Sequence, residues 1–81
     1  MRVTVRMFAS FREAVGAGER ALEVESGATL GQLWERLVEQ HPRLAPMRGV
    51  VGMALNGRYS PPDVPLSEGD IVAFLPPVSG G

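Results

Sequence analysis

The sequence predicts an α+β fold in which a mixed sheet is covered on one face by a single long helix and ends in a flexible glycine-tipped tail. Three observations predict it. Several short runs alternate apolar and polar residues, as a strand with one buried face does. A helical stripe of any length occurs once, at Leu30, Leu33, Trp34, Leu37 and Val38. Turn signals then separate the remaining runs into the order β, short α, β, long α, β, short β, β.

Each element has its own justification. Val3, Val5 and Met7 alternate with Arg2, Thr4 and Arg6, which leaves Phe8 on the opposite face. Ser10 and Glu13 have capping-box spacing, and residues 11–15 are long enough for one or two helical turns before Gly16 and Gly18 stop them. Leu22 and Val24 face one way in the second strand, Glu23 and Glu25 the other. Thr29 and Gln32 form a second capping-box pair at the start of the long helix. Pro42 ends that helix by disfavouring a helical backbone at His41. Val51, Met53 and Leu55 lead into Asn56-Gly57, a pair suited to a type I′ hairpin, with residues 58–60 as a short return. A turn over residues 67–70 launches residues 71–75, and Pro76-Pro77 stop that strand because neither can donate a ladder hydrogen bond.

This is the element order of a ubiquitin-like β-grasp, in which the first and last strands are neighbours. Val72 and Phe74 are then expected inward against Leu33, Trp34 and Leu37. Ile71, Ala73 and Leu75 fall with Phe8 on the uncovered face, where an apolar patch marks a partner surface. The opposite assignment of faces is the alternative.

At 81 residues, with 44% hydrophobic and 21% charged, the chain makes one small domain over residues 1–75 plus a tail over residues 76–81. A net charge of −1 provides no electrostatic footprint for nucleic acid or an anionic membrane, and neither partner is expected. There is no cysteine, which excludes disulfides, thiolate metal sites and a cysteine nucleophile. All eight basic residues are Arg, so no side-chain amine is present. The N-terminus reads as a patterned strand with no secretory signal, and no apolar run approaches the ~18 residues of a membrane span; the cytoplasm is the expected compartment.

No known catalytic constellation occurs, and no independent enzymatic activity is expected. His41 reads as a helix-end cation and not as a metal ligand, because the sequence groups no further ligands with it. The pairs Glu23/Glu25 and Glu68/Asp70 read as a solvated strand face and a turn beside Gly69. The end of the chain is different. Two final glycines arise by chance in roughly 1 chain in 200 at a glycine frequency of ~7%. Six residues after the last strand span at most about 20 Å, stiff at Pro76 and Pro77 and bare at Gly80 and Gly81. Such a tip can deliver the Gly81 carboxylate into a channel too narrow for any side chain.

The segment from Glu68 to Gly81, EGDIVAFLPPVSGG, resembles the C-terminal signature of the molybdopterin synthase small-subunit (MoaD/ThiS) family of ubiquitin-like sulfur carriers. Phe8-Ala9, Phe11-Arg12-Glu13 with Val15-Gly16, the long helix and Ala54-Leu55-Asn56 occur in that family's order. The Pro-Pro-Val-x-Gly-Gly tail is the most specific part and favours the molybdenum-cofactor branch over the thiamine branch. Position 75, commonly aromatic in the family, is Leu75 here.

The resemblance implies a carrier whose Gly81 is adenylated by an ATP-dependent activating enzyme and converted to a thiocarboxylate by a sulfur donor protein. ATP is the activating enzyme's; no permanently bound cofactor and no metal are implied. The thiocarboxylate would enter the large subunit of the synthase, in a heterotetramer with two of each subunit, and donate sulfur to cyclic pyranopterin monophosphate. Pro76, Pro77, Val78, Ser79 and Gly80 would form the inserted tail, and Phe8, Ala73 and Leu75 the partner interface. A carrier or protein modifier for another pathway (thiamine, tRNA thiolation, lysine conjugation) and a non-activated binding module are the alternatives.

Overall fold

The computed structural model describes residues 1–77. Five strands, β1 (Arg2–Met7), β2 (Glu19–Glu23), β3 (Gly52–Leu55), β4 (Arg58–Tyr59) and β5 (Ile71–Leu75), form one mixed sheet in the order β2-β1-β5-β3-β4. β1 and β5 are parallel neighbours at its centre, with Val5 level with Val72 and Met7 level with Phe74. The other pairs are antiparallel. Val3, Val5, Met7, Val72 and Phe74 are all buried, which settles the assignment of faces as expected from their alternation.

Helix α2 (Leu30–Gln40) lays its stripe of Leu30, Leu33, Trp34, Leu37 and Val38 on that inner face, each residue buried. Burial of side chains of this size stabilises by about 1.5–3 kcal/mol apiece, an upper bound against a fully extended unfolded chain. Trp34 forms the centre of an aromatic trio, with ring centroids 5.4 Å from Phe11 and 5.1 Å from Phe74. Its capping box is complete, since Gln32 N donates to Thr29 Oγ1 and Thr29 N donates to Gln32 Oε1. The helix stops before Pro42, and His41 follows its last residue as the C-cap.

Two expectations are corrected. Helix α1 (Ser10–Val15) has no capping box, because the chain reverses at Ala9 (φ 49°) and Ser10 is already its first helical residue. Nor does α2 cover the sheet alone. A 3₁₀ helix over Pro42–Met47 follows it, and Leu44 there and Phe11 in α1 are each only 1% exposed. The hairpin is of the predicted kind, with Asn56 at φ 51° and Gly57 at φ 85° as a type I′ turn requires. Its strands run slightly shorter than the alternation suggested, from Gly52 and to Tyr59.

The connection between β4 and β5 seals the start of α2. Leu30 N donates to Val64 O at 2.9 Å and Gly31 N to Pro62 O at 2.8 Å. This approach requires glycine. A Cβ on Gly31 would lie 2.9 Å from Pro62 Cβ and 3.1 Å from Pro62 O, neither of them the end of a flexible side chain. Gly31→Ala gains up to ~1 kcal/mol of helix propensity but meets this overlap at a cost of about 1–3 kcal/mol, so a net loss of up to about 2 kcal/mol is expected. Denaturant unfolding checks it. A midpoint equal to or above the parent's would mean that the 60–66 segment does not press on the helix as described.

Candidate functional site

The uncovered face of the sheet is assembled by register. Ile71, Ala73 and Leu75 point away from the core on β5, where Arg6 lies level with Ala73 on one side and Ala54 on the other. Leu75 is opposite Gly52 on β3, and continuing the β1 register by one residue brings Phe8 level with it. Ala54 is in turn opposite Tyr59 on β4. Phe8 is 41% exposed, Ile71 46% and Tyr59 79%, while Ala73 and Leu75 are half-buried. Small residues at 52, 54 and 73 thus leave a shallow apolar floor with larger side chains around it.

Gly52 joins the two halves of that floor. A Cβ there would stand 3.4 Å from Leu75 O and 3.6 Å from Tyr59 Cε1, so the Tyr59 ring and Leu75 both flank bare backbone. Leu75 leads directly into Pro76, half-buried, and Pro77, exposed; the root of the tail therefore rises from the edge of the patch. On the β2 side the face is framed by exposed cross-strand ion pairs, Arg2 with Glu23 at 3.2 Å and Arg6 with Glu19 at 3.3 Å. Pairs this exposed contribute ~0–1 kcal/mol and act as a polar rim.

The structure brings Phe8, Ala73 and Leu75 to the uncovered face of the sheet, and Pro76 and Pro77 follow directly after Leu75. Val78, Ser79, Gly80 and Gly81 lie outside the described residues. Tyr59, Gly52, Ala54 and Ile71 complete the patch; Tyr59 was legible, because a two-residue hairpin turn sets it opposite Ala54 and hence on that face.

The remaining polar candidates have structural partners. Glu68 Oε1 accepts from Arg2 N at 3.0 Å. Asp70 accepts from Ser67 N and from the Asn56 amide, while Asn56 Oδ1 accepts from Ile71 N, latching the hairpin to β5. His41 Nε2 lies 3.4 Å from Arg20 Nη1, and no group of acidic, His or Cys side chains among the described residues is placed to hold a metal ion. A groove of about 910 Å³ lies on the other side of the molecule between α2 and the β3–β4 hairpin. Glu35 grips Arg48 across its rim with two-pronged hydrogen bonds as short as 2.7 Å, which hold that guanidinium above its ordinary range. No acid–base or nucleophilic arrangement faces it.

The model of the ThiS family matches residues 5–81. The chain belongs to the ThiS family. A molybdopterin synthase sulfur carrier subunit of Mycobacterium tuberculosis is 38% identical over 82 residues, covering 100% of this chain and 99% of that protein. Among solved structures, the small archaeal modifier protein 1 of Haloferax volcanii superposes with a TM-score of 0.86 at 28% identity, over 100% of both chains. A chain in the complex of subunits 1 and 2 of the molybdopterin-converting factor from Helicobacter pylori matches with a TM-score of 0.68 at 28% identity, again over 100% of both. These ThiS-family likenesses agree with the β-grasp topology, and the family match extends through both final glycines. No helix among the described residues is long and apolar enough to cross a membrane.

Proposed function

We propose that this chain is the sulfur carrier subunit of a molybdopterin synthase, with Gly81 as the reactive residue. The observation that carries the reading is the continuity of the exposed apolar face with the tail root, through Leu75 into Pro76 and Pro77. A partner that grips the face is thereby positioned to receive the tail. The partner is the large subunit of the synthase, in a heterotetramer of two and two; the subunit 1 and 2 complex from Helicobacter pylori supports this choice.

The chemistry follows from the terminus. A carboxylate is a poor electrophile at neutral pH. An activating enzyme joins it to AMP from ATP, releasing pyrophosphate; hydrosulfide then attacks the carbonyl, the C–S bond forms, the bond to AMP breaks and AMP leaves, giving a thiocarboxylate. The carrier supplies no acid or base to either step. It contributes position, by converting sulfur transfer into a reaction within one complex. Residues 76–79 set the reach, Gly80 leaves clearance, and Phe8, Ala73 and Leu75 with Tyr59 form the docking floor. Two carriers in succession supply the two sulfurs of one dithiolene on cyclic pyranopterin monophosphate.

The test is reconstitution. Thiocarboxylated carrier mixed with the large subunit of its host's synthase is expected to convert cyclic pyranopterin monophosphate to molybdopterin, consuming two carriers per product. No conversion, with the thiocarboxylate verified by mass and the large subunit active with another carrier, would overturn the reading. The likeness to an archaeal modifier protein favours one second reading, a protein modifier. Isopeptide-linked conjugates of the carrier on host proteins would mark it.

A further inference from the structure

The carrier reading makes Gly81 an electrophile each time it is activated, which raises the question of what within the chain could attack it. Acyl adenylates acylate amines and thiols readily. The sequence has no cysteine and no lysine, and its eight basic side chains are all guanidinium groups. Seven of them, Arg2, Arg6, Arg12, Arg36, Arg43, Arg48 and Arg58, are exposed, so a lysine at any of these positions would be a surface amine. Near pH 8.4 about 1% of lysine side chains are free base, against about 0.01% or less of guanidinium groups, so each Arg offers at least about 100-fold less nucleophile than a Lys.

The remaining amine is the α-amino group of Met1, and it is engaged. It donates to Val24 O at 2.8 Å and stands 3.8 Å from Glu23 Oε2, with the Met1 side chain 13% exposed. His41, half-buried beside Arg20, could form at most an acyl-imidazole, which water reverses. The hydroxyl of Tyr59 is exposed, and among the hydrogen bonds of the described residues no general base stands against it to take its proton.

We infer that this chain is an obligate acyl donor: it has no side-chain amine or thiol to hold an activated terminus, so activation ends in transfer to an outside nucleophile or in hydrolysis, and not in a stable side-chain bond between carriers. The inference rests on the carrier reading. It deepens that reading by assigning the absence of side-chain amines a role in chemoselectivity, because an activated carrier then meets no side-chain amine on another copy of the chain.

Two variants test it, Arg43→Lys and Arg58→Lys, both at exposed positions where the exchange is expected to leave the melting temperature unchanged. Each chain is incubated near pH 8.4 with ATP, magnesium and its host's activating enzyme, without a sulfur source, and with or without hydroxylamine as a small reporter amine. In the hydroxylamine reaction a C–N bond forms at the Gly81 carbonyl, the bond to AMP breaks, AMP leaves and the proton goes to water. The expected result is a Gly81 hydroxamate from all three chains and, without hydroxylamine, a covalent carrier–carrier amide from the lysine variants only, at least tenfold above the parent. A parent amide at comparable yield, whichever amine it maps to, would overturn the inference. So would hydroxamate formation in all three chains with no amide from either variant. Absence of hydroxamate from every chain, with the enzyme active on another carrier, would instead overturn the carrier reading itself.

Discussion

A chain ending at Gly80 is expected to unfold at the same temperature as the intact chain and to gain no sulfur. Intact mass after incubation with ATP, the activating enzyme and sulfide should show one oxygen replaced by sulfur in the full chain and nothing in the truncated one. The contrast in effect is large because the two properties depend on different parts of the molecule. Among the described residues, the 15 of the buried core lie between Val3 and Phe74, and neither Pro76 nor Pro77 is one of them. Removing Gly81 moves the carboxylate back by one residue, about 3.3–3.6 Å of extended chain, in a reaction where a misplacement of ~1 Å can cost ~100-fold. A truncated chain that is thiolated at the parent's rate would refute the role of Gly81. A truncated chain that melts several degrees lower would show that the tail contributes to the fold after all.

The parts of this molecule that were legible in its sequence are those governed by periodicity and by capping. The α2 stripe has a single solution, since only a 3.6-residue period brings Leu30, Leu33, Trp34, Leu37 and Val38 together, and Thr29 and Gln32 fix where it begins. The face of β5 was legible for a similar reason: Val72 and Phe74 alternate with smaller or half-exposed neighbours, and the helix has just one sheet face to cover. Ser10 misled because capping depends on backbone conformation as well as residue type. The reversal falls at Ala9, whose φ of 49° the chain adopts despite the cost of a left-handed backbone for a residue with a Cβ. The 3₁₀ helix was invisible because Leu44 is its one buried residue, and a single apolar position between prolines and arginines sets no period. Of the exposed apolar face, the sequence reading placed Phe8, Ala73 and Leu75 and did not name Tyr59, although the hairpin register contained it. The chemistry of the terminus could be read only from its glycines and from family resemblance, because thiocarboxylation leaves no signature in packing or charge.

Adjacent residues on β5 should fail in opposite ways. Phe74 is 0% exposed, stacks with its ring centroid 5.1 Å from Trp34 and lies level with Met7 and Met53 in the sheet. Phe74→Ala opens a cavity where three elements meet, at about 3–5 kcal/mol, against a total stability of about 4–12 kcal/mol for a chain of this size. A loss of about 20 °C or more in melting temperature, or no folded state at 37 °C, is expected, and carrier activity falls with it. Leu75, one residue on, faces outward beside Gly52, half-buried in the free chain. Leu75→Asp keeps that carboxylate in contact with water, so the unfolding midpoint should stay near the parent's. In the synthase complex the same carboxylate would be covered. Arg6, the nearest cation by register, is already paired with Glu19. An unpaired buried charge costs about 3–5 kcal/mol, which predicts binding to the large subunit weakened at least about 100-fold by titration calorimetry. Leu75→Phe, which restores the aromatic residue common in the family, should bind at least as tightly as the parent. Parent-like binding by Leu75→Asp would remove Leu75 from the interface and leave the tail alone to hold the partner.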